Sequence, residues 1–325
     1  MNGPAGEHDE PLPEDGGEGG GARDPSVNTG RAGIAALAGR PNVGKSTLLN
    51  ALLGRKISIV SPRPQTTRTR IHGVLTRPGL QIVFADLPGI HSKQPRAINR
   101  YMNRTALSSL ADADVNLFVI EALRWTEEDE GVLEQLRRAG RPVLLIVNKA
   151  DRARPRDRLL PFIAEVSARA EFAEVVPVSA LKRSNLERLP EAIGRHLPES
   201  AQLYPPEQIT DASDRFMAAE VVREKLMLRL QDELPYGLMV EIEGLGEAED
   251  EPGKLVVQAV IWVERTGQKA IVIGKGGELL KEVGRAARLE LKSYFGRPVH
   301  LVLWVKVREG WSDDERALRR FGFET

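Results

Sequence analysis

The sequence predicts an α/β domain built on a mostly parallel six-stranded sheet, followed by a smaller α+β domain with a three-stranded sheet. Three observations carry this expectation. Short apolar runs alternate with helical patterns from Gly33 to about residue 198, the pattern fails across a proline-containing polar stretch, and a different order of elements follows. Strands alternating with helices argue for a sheet covered on both faces.

Residues 1–30 hold eight Gly, four Pro and seven acidic residues against one Arg. Such a segment cannot bury enough apolar surface to offset its ordering entropy, so it reads as a disordered, solubilising tail. Gly33–Ala38 is an apolar run, a glycine-rich loop follows, and Thr47–Leu53 reads as helix. Ile71–Thr76 and Gln81–Ala85, joined by Arg77-Pro-Gly-Leu80, form an expected hairpin that adds one antiparallel edge strand. Val115–Ile120, Val143–Val147 and Val175–Val178 are further strands, and helical patterns occupy about 127–139, 157–170 and 185–196.

Around Leu197–Asp211 the periodicity fails, with Pro198, Pro205 and Pro206 in a polar stretch that reads as a linker. The expected division is a tail over 1–30, a first domain over 31–198, a linker over 199–213 and a second domain over 214–325. In that second domain a helix covers about 214–230, strands cover about 237–245 and 255–264, and a helix covers about 277–292. A final strand, Val299–Val307, sets Val299, Leu301, Leu303, Val305 and Val307 on one face.

Composition narrows the classes. At 325 residues, roughly two domains are expected. Lys plus Arg (46) equals Asp plus Glu (46), so partners must be read from local charge. The absence of cysteine excludes disulfides, cysteine-ligated zinc and a thiol nucleophile, and fits a reducing cytoplasm. Apolar runs such as Val143–Val147 fall far short of the roughly 20 residues needed to span a bilayer. The N-terminus has neither the basic start nor the apolar core of an export signal.

Three strings in the first domain fit together as one nucleotide pocket. Gly39-Arg40-Pro41-Asn42-Val43-Gly44-Lys45-Ser46 follows a strand and opens a helix, the context in which this spacing cradles phosphates. Its glycines admit backbone amides to the phosphates and the helix N-terminus adds a favourable dipole. Lys45 is expected to reach the β- and γ-phosphates and the Ser46 hydroxyl to ligate Mg²⁺. Asp86-Leu87-Pro88-Gly89 leaves the end of a strand 40 residues after Ser46, where Asp86 can hold Mg²⁺ and the Gly89 amide can sense the γ-phosphate. Asn148-Lys149-Ala150-Asp151 follows another strand. The Asp151 carboxylate can accept from N1–H and the 2-amino group of guanine, both of which adenine lacks. Asn148 is expected to brace the loop, the Lys149 stem to lie across the base, and Ser179-Ala180 to offer a backbone amide to guanine O6. The pocket therefore expects GTP or GDP with Mg²⁺.

These residues resemble the translation-factor-related GTPases. Arg40-Pro41-Asn42-Val43-Gly44 fills the phosphate loop as in the ribosome-assembly members, and Pro64-Gln-Thr66-Thr67-Arg68 lies where that family's first switch supplies a magnesium-binding threonine. The sequence leaves open whether Thr66 or Thr67 fills that role. Lys45, Thr66, Thr67, Asp86 and Gly89 then make the catalytic set. Ile90 follows Gly89 where Ras-like relatives carry a water-orienting Gln. A hydrophobic side chain cannot orient water by hydrogen bonding, so intrinsic hydrolysis is expected to be slow and assisted by K⁺, another residue or a bound partner.

In the second domain, Ile271-Val-Ile-Gly274-Lys275-Gly276-Gly277 precedes a helix within a β–β–α–β order, as in a KH domain. Such a glycine loop clamps the backbone of about four single-stranded nucleotides. Residues 265–308 hold ten basic against three acidic residues, and Lys281, Arg285, Arg288 and Lys292 form one stripe at helical spacing. The whole of 31–325 is thereby identified as a member of the GTPases that join a TrmE-Era-EngA-like domain to a type II KH domain. That resemblance implies a monomer binding 16S ribosomal RNA near its 3′ end, action on the 30S subunit, and peripheral association with the inner membrane. Two alternatives remain: an RNA-binding adaptor with a static nucleotide site, or a tRNA-modification GTPase, a family that ends in a cysteine motif absent here.

Overall fold

The computed structural model describes residues 30–63, 66–89, 96–230 and 237–323, so the expectation of a disordered tail over 1–30 lies almost wholly outside the described residues. Its first sheet takes the strands β1 (Gly30–Ala38), β2 (Ile71–Arg77), β3 (Leu80–Asp86), β4 (Val115–Glu121), β5 (Val143–Asn148) and β6 (Glu174–Pro177) in the order β2-β3-β1-β4-β5-β6. Only β2 runs against its neighbour β3, through the expected hairpin; the other contacts on this path are parallel. A two-residue strand, β7 (Glu199–Ser200), also pairs with the start of β1, making a seventh strand that six apolar runs did not reveal.

The strands are apolar almost without interruption because both faces are covered. Helices α1 (Lys45–Leu53) and α5 (Leu189–Gly194) belong to the face cored by Leu37, Leu48, Phe84, Leu144 and Ile193. On the other face α2 (Ala97–Asp112), α3 (Glu127–Ala139) and α4 (Leu159–Ser167) pack over Ala36, Phe118, Ile120 and Leu145. Helix α3 opens on a reciprocal cap, in which Thr126 accepts from the Asp129 amide and Asp129 accepts from the Thr126 amide. It closes on Gly140 in the left-handed region. Helices α4 and α5 are shorter than the runs 157–170 and 185–196.

Helix α2 was not anticipated. Its buried positions include Asn99 and Ser109 among Ala97, Ile98, Met102, Ala106 and Leu110, so its apolar periodicity is diluted. The helix spends that face on two partners. Ala106 and Leu110 join the core of the first domain, while Ala97, Ile98 and Met102 form a cluster with Trp311, Ala317, Leu318 and Phe323 of the C-terminal segment.

The second domain runs α6 (Asp214–Arg229), β8 (Leu238–Glu247), β9 (Leu255–Val263), α7 (Thr266–Ile273), α8 (Glu278–Phe295), β10 (Val299–Val307) and α9 (Glu315–Arg320). Strand β9 is central, antiparallel to β8 and parallel to β10. Helices α6 and α8 share its core, with Val222 and Leu226 meeting Val283, Ala287 and Leu291 over Val257 and Ile261. Helix α7 was expected as a polar stretch and an apolar run; with eight residues and Val272 as its one buried position, it has no periodicity to read.

The segment between the domains is stitched to the first. The Gln81 side chain accepts from the Leu203 and Tyr204 amides and donates to the Tyr204 carbonyl at 2.8 Å. Farther on, Val74 N donates to Ile209 O at 2.7 Å, and Asp211 accepts from the His72 amide. Side-chain periodicity does not record these contacts, because each uses a backbone group on at least one side.

Candidate functional site

Strand β1 ends at Ala38 and hands the chain to the loop Gly39–Gly44, after which α1 begins at Lys45. Gly44 sits at φ 100°, and a Cβ there would lie 2.5 Å from the Asn148 amide nitrogen. Both the left-handed backbone and the close neighbour require glycine. Gly44 caps α1 without a side-chain bond, so first-turn amides stay open toward an anion. Lys45 is 8 % exposed, and its ammonium donates to Gly39 O at 2.7 Å and Arg40 O at 3.2 Å. Burial pushes its pKa from 10.5 down to about 8, against the pull of the Asp86 carboxylate. Arg40 turns its side chain away from the cleft, to Asp129 at 3.0 Å and Glu121 at 3.2 Å, bracing the loop from behind.

Asp86, at the end of β3, is fully buried. Its Oδ2 accepts from Ser58 at 2.6 Å, Ser46 at 2.8 Å and Thr67 at 3.2 Å, and Ser46 Oγ lies 3.2 Å from Thr67 Oγ1. Its Oδ1 is buried with no hydrogen-bond partner. An orphaned carboxylate oxygen beside two hydroxyls suits a hard cation such as Mg²⁺. The two threonines separate here. Thr66 Oγ1 donates to Arg63 O at 2.8 Å, so Thr67, and not Thr66, brings its hydroxyl to Ser46 and Asp86. Ser58 lies in an irregular stretch with no motif to mark it, and sequence reading missed it.

These groups border a cleft lined among others by Asn42, Ser46, Ser61, Thr67, Leu87 and Gly89. Pro88 is buried beside them, and Val43 belongs to the core. Ile90 lies outside the described residues, as do Pro64 and Gln65.

At the end of β5, Asn148 Nδ2 donates to Val43 O at 2.8 Å and Oδ1 accepts from the Ala180 amide at 3.0 Å. Lys149 is left-handed at φ 61°, with its ammonium 3.1 Å from Glu121. Burial raises the Glu121 pKa, but hydrogen bonds and charge from Lys149 and Arg40 outweigh it and hold that carboxyl below its ordinary range. Asp151 is exposed, and its Oδ1 accepts from Ser179 Oγ at 2.6 Å. Ser179 and Ala180 sit beside this loop. Both are buried, and their amides donate to Ser184 O at 3.1 Å and to Asn148 Oδ1 at 3.0 Å. The Ser179 hydroxyl also serves the loop, by orienting Asp151.

The second glycine loop follows α7. Lys275–Gly277 makes a single tight turn before α8, and Gly276 holds φ 61° with open space where a Cβ would stand. Gly274 approaches Leu279, with a hypothetical Cβ 2.8 Å from Leu279 Cβ. Lys275, Lys281, Arg285, Arg288 and Lys292 are all exposed, opposite the buried face of Val283, Ala287 and Leu291. A backbone open to close approach and a cationic helix face stand side by side.

The two domains meet at the cleft. From α6, Glu224 accepts from the Val60 amide at 2.9 Å and from Lys56 at 2.7 Å. Arg223 donates to the Thr66 carbonyl, Arg63 to the Leu230 carbonyl, and Arg68 to the Leu238 carbonyl at 2.6 Å. At the start of α2, Ala97 N donates to Asp313 at 2.8 Å and Ile98 N to Ser312 O at 3.1 Å.

The model of the 50S ribosome-binding GTPase family matches residues 34–149, and that of the KH domain matches 233–312. GTPase Era of Marinobacter nauticus is 52% identical over 292 residues, 90% of this chain and 95% of its own. GTPase Era of Stenotrophomonas maltophilia is 54% identical, over 90% of this chain and 97% of its own. Among solved structures, an Aquifex aeolicus Era variant bound to GDP and AlF4⁻ superposes with a TM-score of 0.88 at 42% identity, over 91% of this chain and 100% of its own. An Era complex with MgGDPNP and nucleotides 1506–1542 of 16S ribosomal RNA matches equally, with a TM-score of 0.88, 42% identity and the same 91% and 100% coverage.

Proposed function

The chain belongs to the Era family of GTPases, and on that premise we propose that it uses GTP binding and hydrolysis to time a grip on 16S ribosomal RNA near the 3′ end, in assembly and maturation of the 30S subunit. The observation that carries this reading is the set Ser46, Thr67 and Asp86, with its orphaned Oδ1, beside the buried ammonium of Lys45.

Ser46, Thr67 and Asp86 would hold Mg²⁺, which supplies charge neutralisation on the phosphates. Lys45 and the open amides at the start of α1 bind and orient the β- and γ-phosphates. The Gly89 amide faces the γ-phosphate, and Asp151, aligned by Ser179, reads guanine while Lys149 covers the base. Water attacks the γ-phosphorus as its bond to the β–γ bridging oxygen breaks, releasing phosphate and GDP, in a reaction driven by positioning and charge with no covalent bond to the protein. Ile90 offers no hydrogen bond to that water, so unaided turnover is slow and K⁺ or a bound partner raises it. In the second domain, the loop Gly274–Gly277 admits the RNA backbone and Lys275, Lys281, Arg285 and Arg288 neutralise its phosphates.

We assign the working protein as a cytoplasmic monomer, with peripheral contact to the inner membrane proposed from family resemblance alone. Among the described residues no helix is long and apolar enough to cross a membrane. The decisive experiment is binding of a 16S 3′-terminal RNA fragment in the GDPNP and GDP states, run beside GTP hydrolysis. State-dependent binding, and hydrolysis lost in Lys45→Ala, are expected. Normal hydrolysis and normal 30S maturation in Lys45→Ala would instead identify an RNA-binding adaptor whose nucleotide site is static.

A further inference from the structure

We propose that Arg223, a residue of the RNA-binding domain, is a positioning residue of the nucleotide site: it sets the peptide that carries Thr67, so the magnesium-binding side of the pocket is completed only when the second domain is docked. The inference rests on the reading of Ser46, Thr67 and Asp86 as the metal-binding set.

Arg223 is 1 % exposed. Its guanidinium is fixed on α6 by Glu220, which accepts from Nε and Nη2 at 2.6 Å each. Its Nη1 lies 3.2 Å from Met227 Sδ, and Nη2 also donates to the Thr66 carbonyl across the domain boundary. A fork held this way is a rigid donor. The Thr66 carbonyl and the Thr67 nitrogen and Cα share one peptide plane. Holding that oxygen therefore restrains the position of the Thr67 Cα, from which the side chain reaches Asp86 at 3.2 Å.

Stability alone does not account for the arrangement. A buried ion pair is often replaced by apolar residues of like volume without loss, and Met227 and Leu226 already make this stretch apolar. What apolar residues cannot replace is a charged donor aimed at one carbonyl of the loop. The neighbouring contacts lead to the same loop: Glu224 takes the Val60 amide, and Arg68 reaches back to Leu238 on β8.

The test uses the full chain and compares GDPNP with GDP, each titrated with and without Mg²⁺, in wild type, Arg223→Ala and the double variant Glu220→Met/Arg223→Met. The double variant removes both charges together and guards against unfolding from an orphaned carboxylate. In both variants Mg²⁺-dependent GDPNP affinity should fall about tenfold, the scale of one lost charge-assisted hydrogen bond. GDP affinity should stay within about twofold, because Thr67 is called upon when the γ-phosphate and its metal order the loop. Arg223→Lys, which keeps a charged donor, should recover part of the loss. A folded variant with wild-type Mg²⁺ dependence and an unchanged GDPNP-to-GDP ratio would overturn the proposal, as would equal weakening of both nucleotides. Failure of wild type to bind either nucleotide would instead remove the reading of the site itself.

Discussion

The Asn148 side chain donates to the Val43 carbonyl at 2.8 Å, tying the guanine loop to the phosphate loop. Its other end accepts from Ala180, so one buried amide joins three segments far apart in the chain. Replacing Asn148 by Ala strands a buried carbonyl and a buried amide, each worth about 1–3 kcal/mol when unsatisfied. GDP and GTP should both weaken by roughly 10–100-fold, read by fluorescence titration. Asn148→Asp should not rescue binding, because it sets a carboxylate oxygen against the Val43 carbonyl.

The proposed reader of guanine is Asp151. With Oδ1 taken by Ser179, its carboxylate is pre-aimed before the base arrives. Asp151→Asn replaces an acceptor by a donor, so GTP affinity should fall by about 100-fold or more. Xanthosine triphosphate, with a carbonyl where guanine has its amino group, should gain. Competition binding of the two nucleotides checks this, and an unchanged preference for GTP would refute the assignment. Ser179→Ala should lower affinity for both without exchanging their order.

Lys45 should make nucleotide affinity depend on pH. Phosphate binds the ammonium form, and in the free protein burial has lowered the pKa to about 8. Below that pH no proton is needed on binding. Above it the protein must take one up, so affinity should fall toward tenfold per pH unit. Calorimetry of GDP binding at pH 7, 8 and 9 should show the loss together with proton uptake. Lys45→Arg, charged throughout this range, should bind more weakly at pH 7 and without that slope.

The second domain can be tested separately. Gly276 has open space around it, so Gly276→Asp should fold, at a cost of about 1 kcal/mol for a left-handed residue. Its carboxylate would then stand where RNA phosphates are proposed to approach. RNA affinity should drop at least tenfold by gel shift, with RNA-free GTP hydrolysis unchanged. Equal RNA binding by the variant would move the RNA site elsewhere.

The nucleotide loops were legible because their chemistry is local: a strand, a turn of fixed spacing and a helix place Lys45 and Ser46 together, and Asp86 and Asn148 each end a strand in the same sheet. Spacing does not distinguish two adjacent threonines; the choice of Thr67 came from the hydrogen bond that turns Thr66 toward Arg63. Ser58 and Arg223 were invisible for a related reason, since each reaches a site distant in sequence through a single contact. Helix α2 was hidden because it serves two cores at once. The linker looked like irregular chain because its order comes from backbone pairing with β2 and from Gln81.

That pairing has a consequence for the first domain on its own. Strand β2 is the sheet's outermost strand, and residues 209–211 occupy the outer rim, with Val74 bonded to Ile209 and His72 to Thr210 and Asp211. A bare rim of this kind invites another molecule's strand. The chain that connects the domains should also act as a bumper against self-association. A first domain ended at residue 198 should therefore stick to itself, whereas one carried on through Asp211 should stay dispersed.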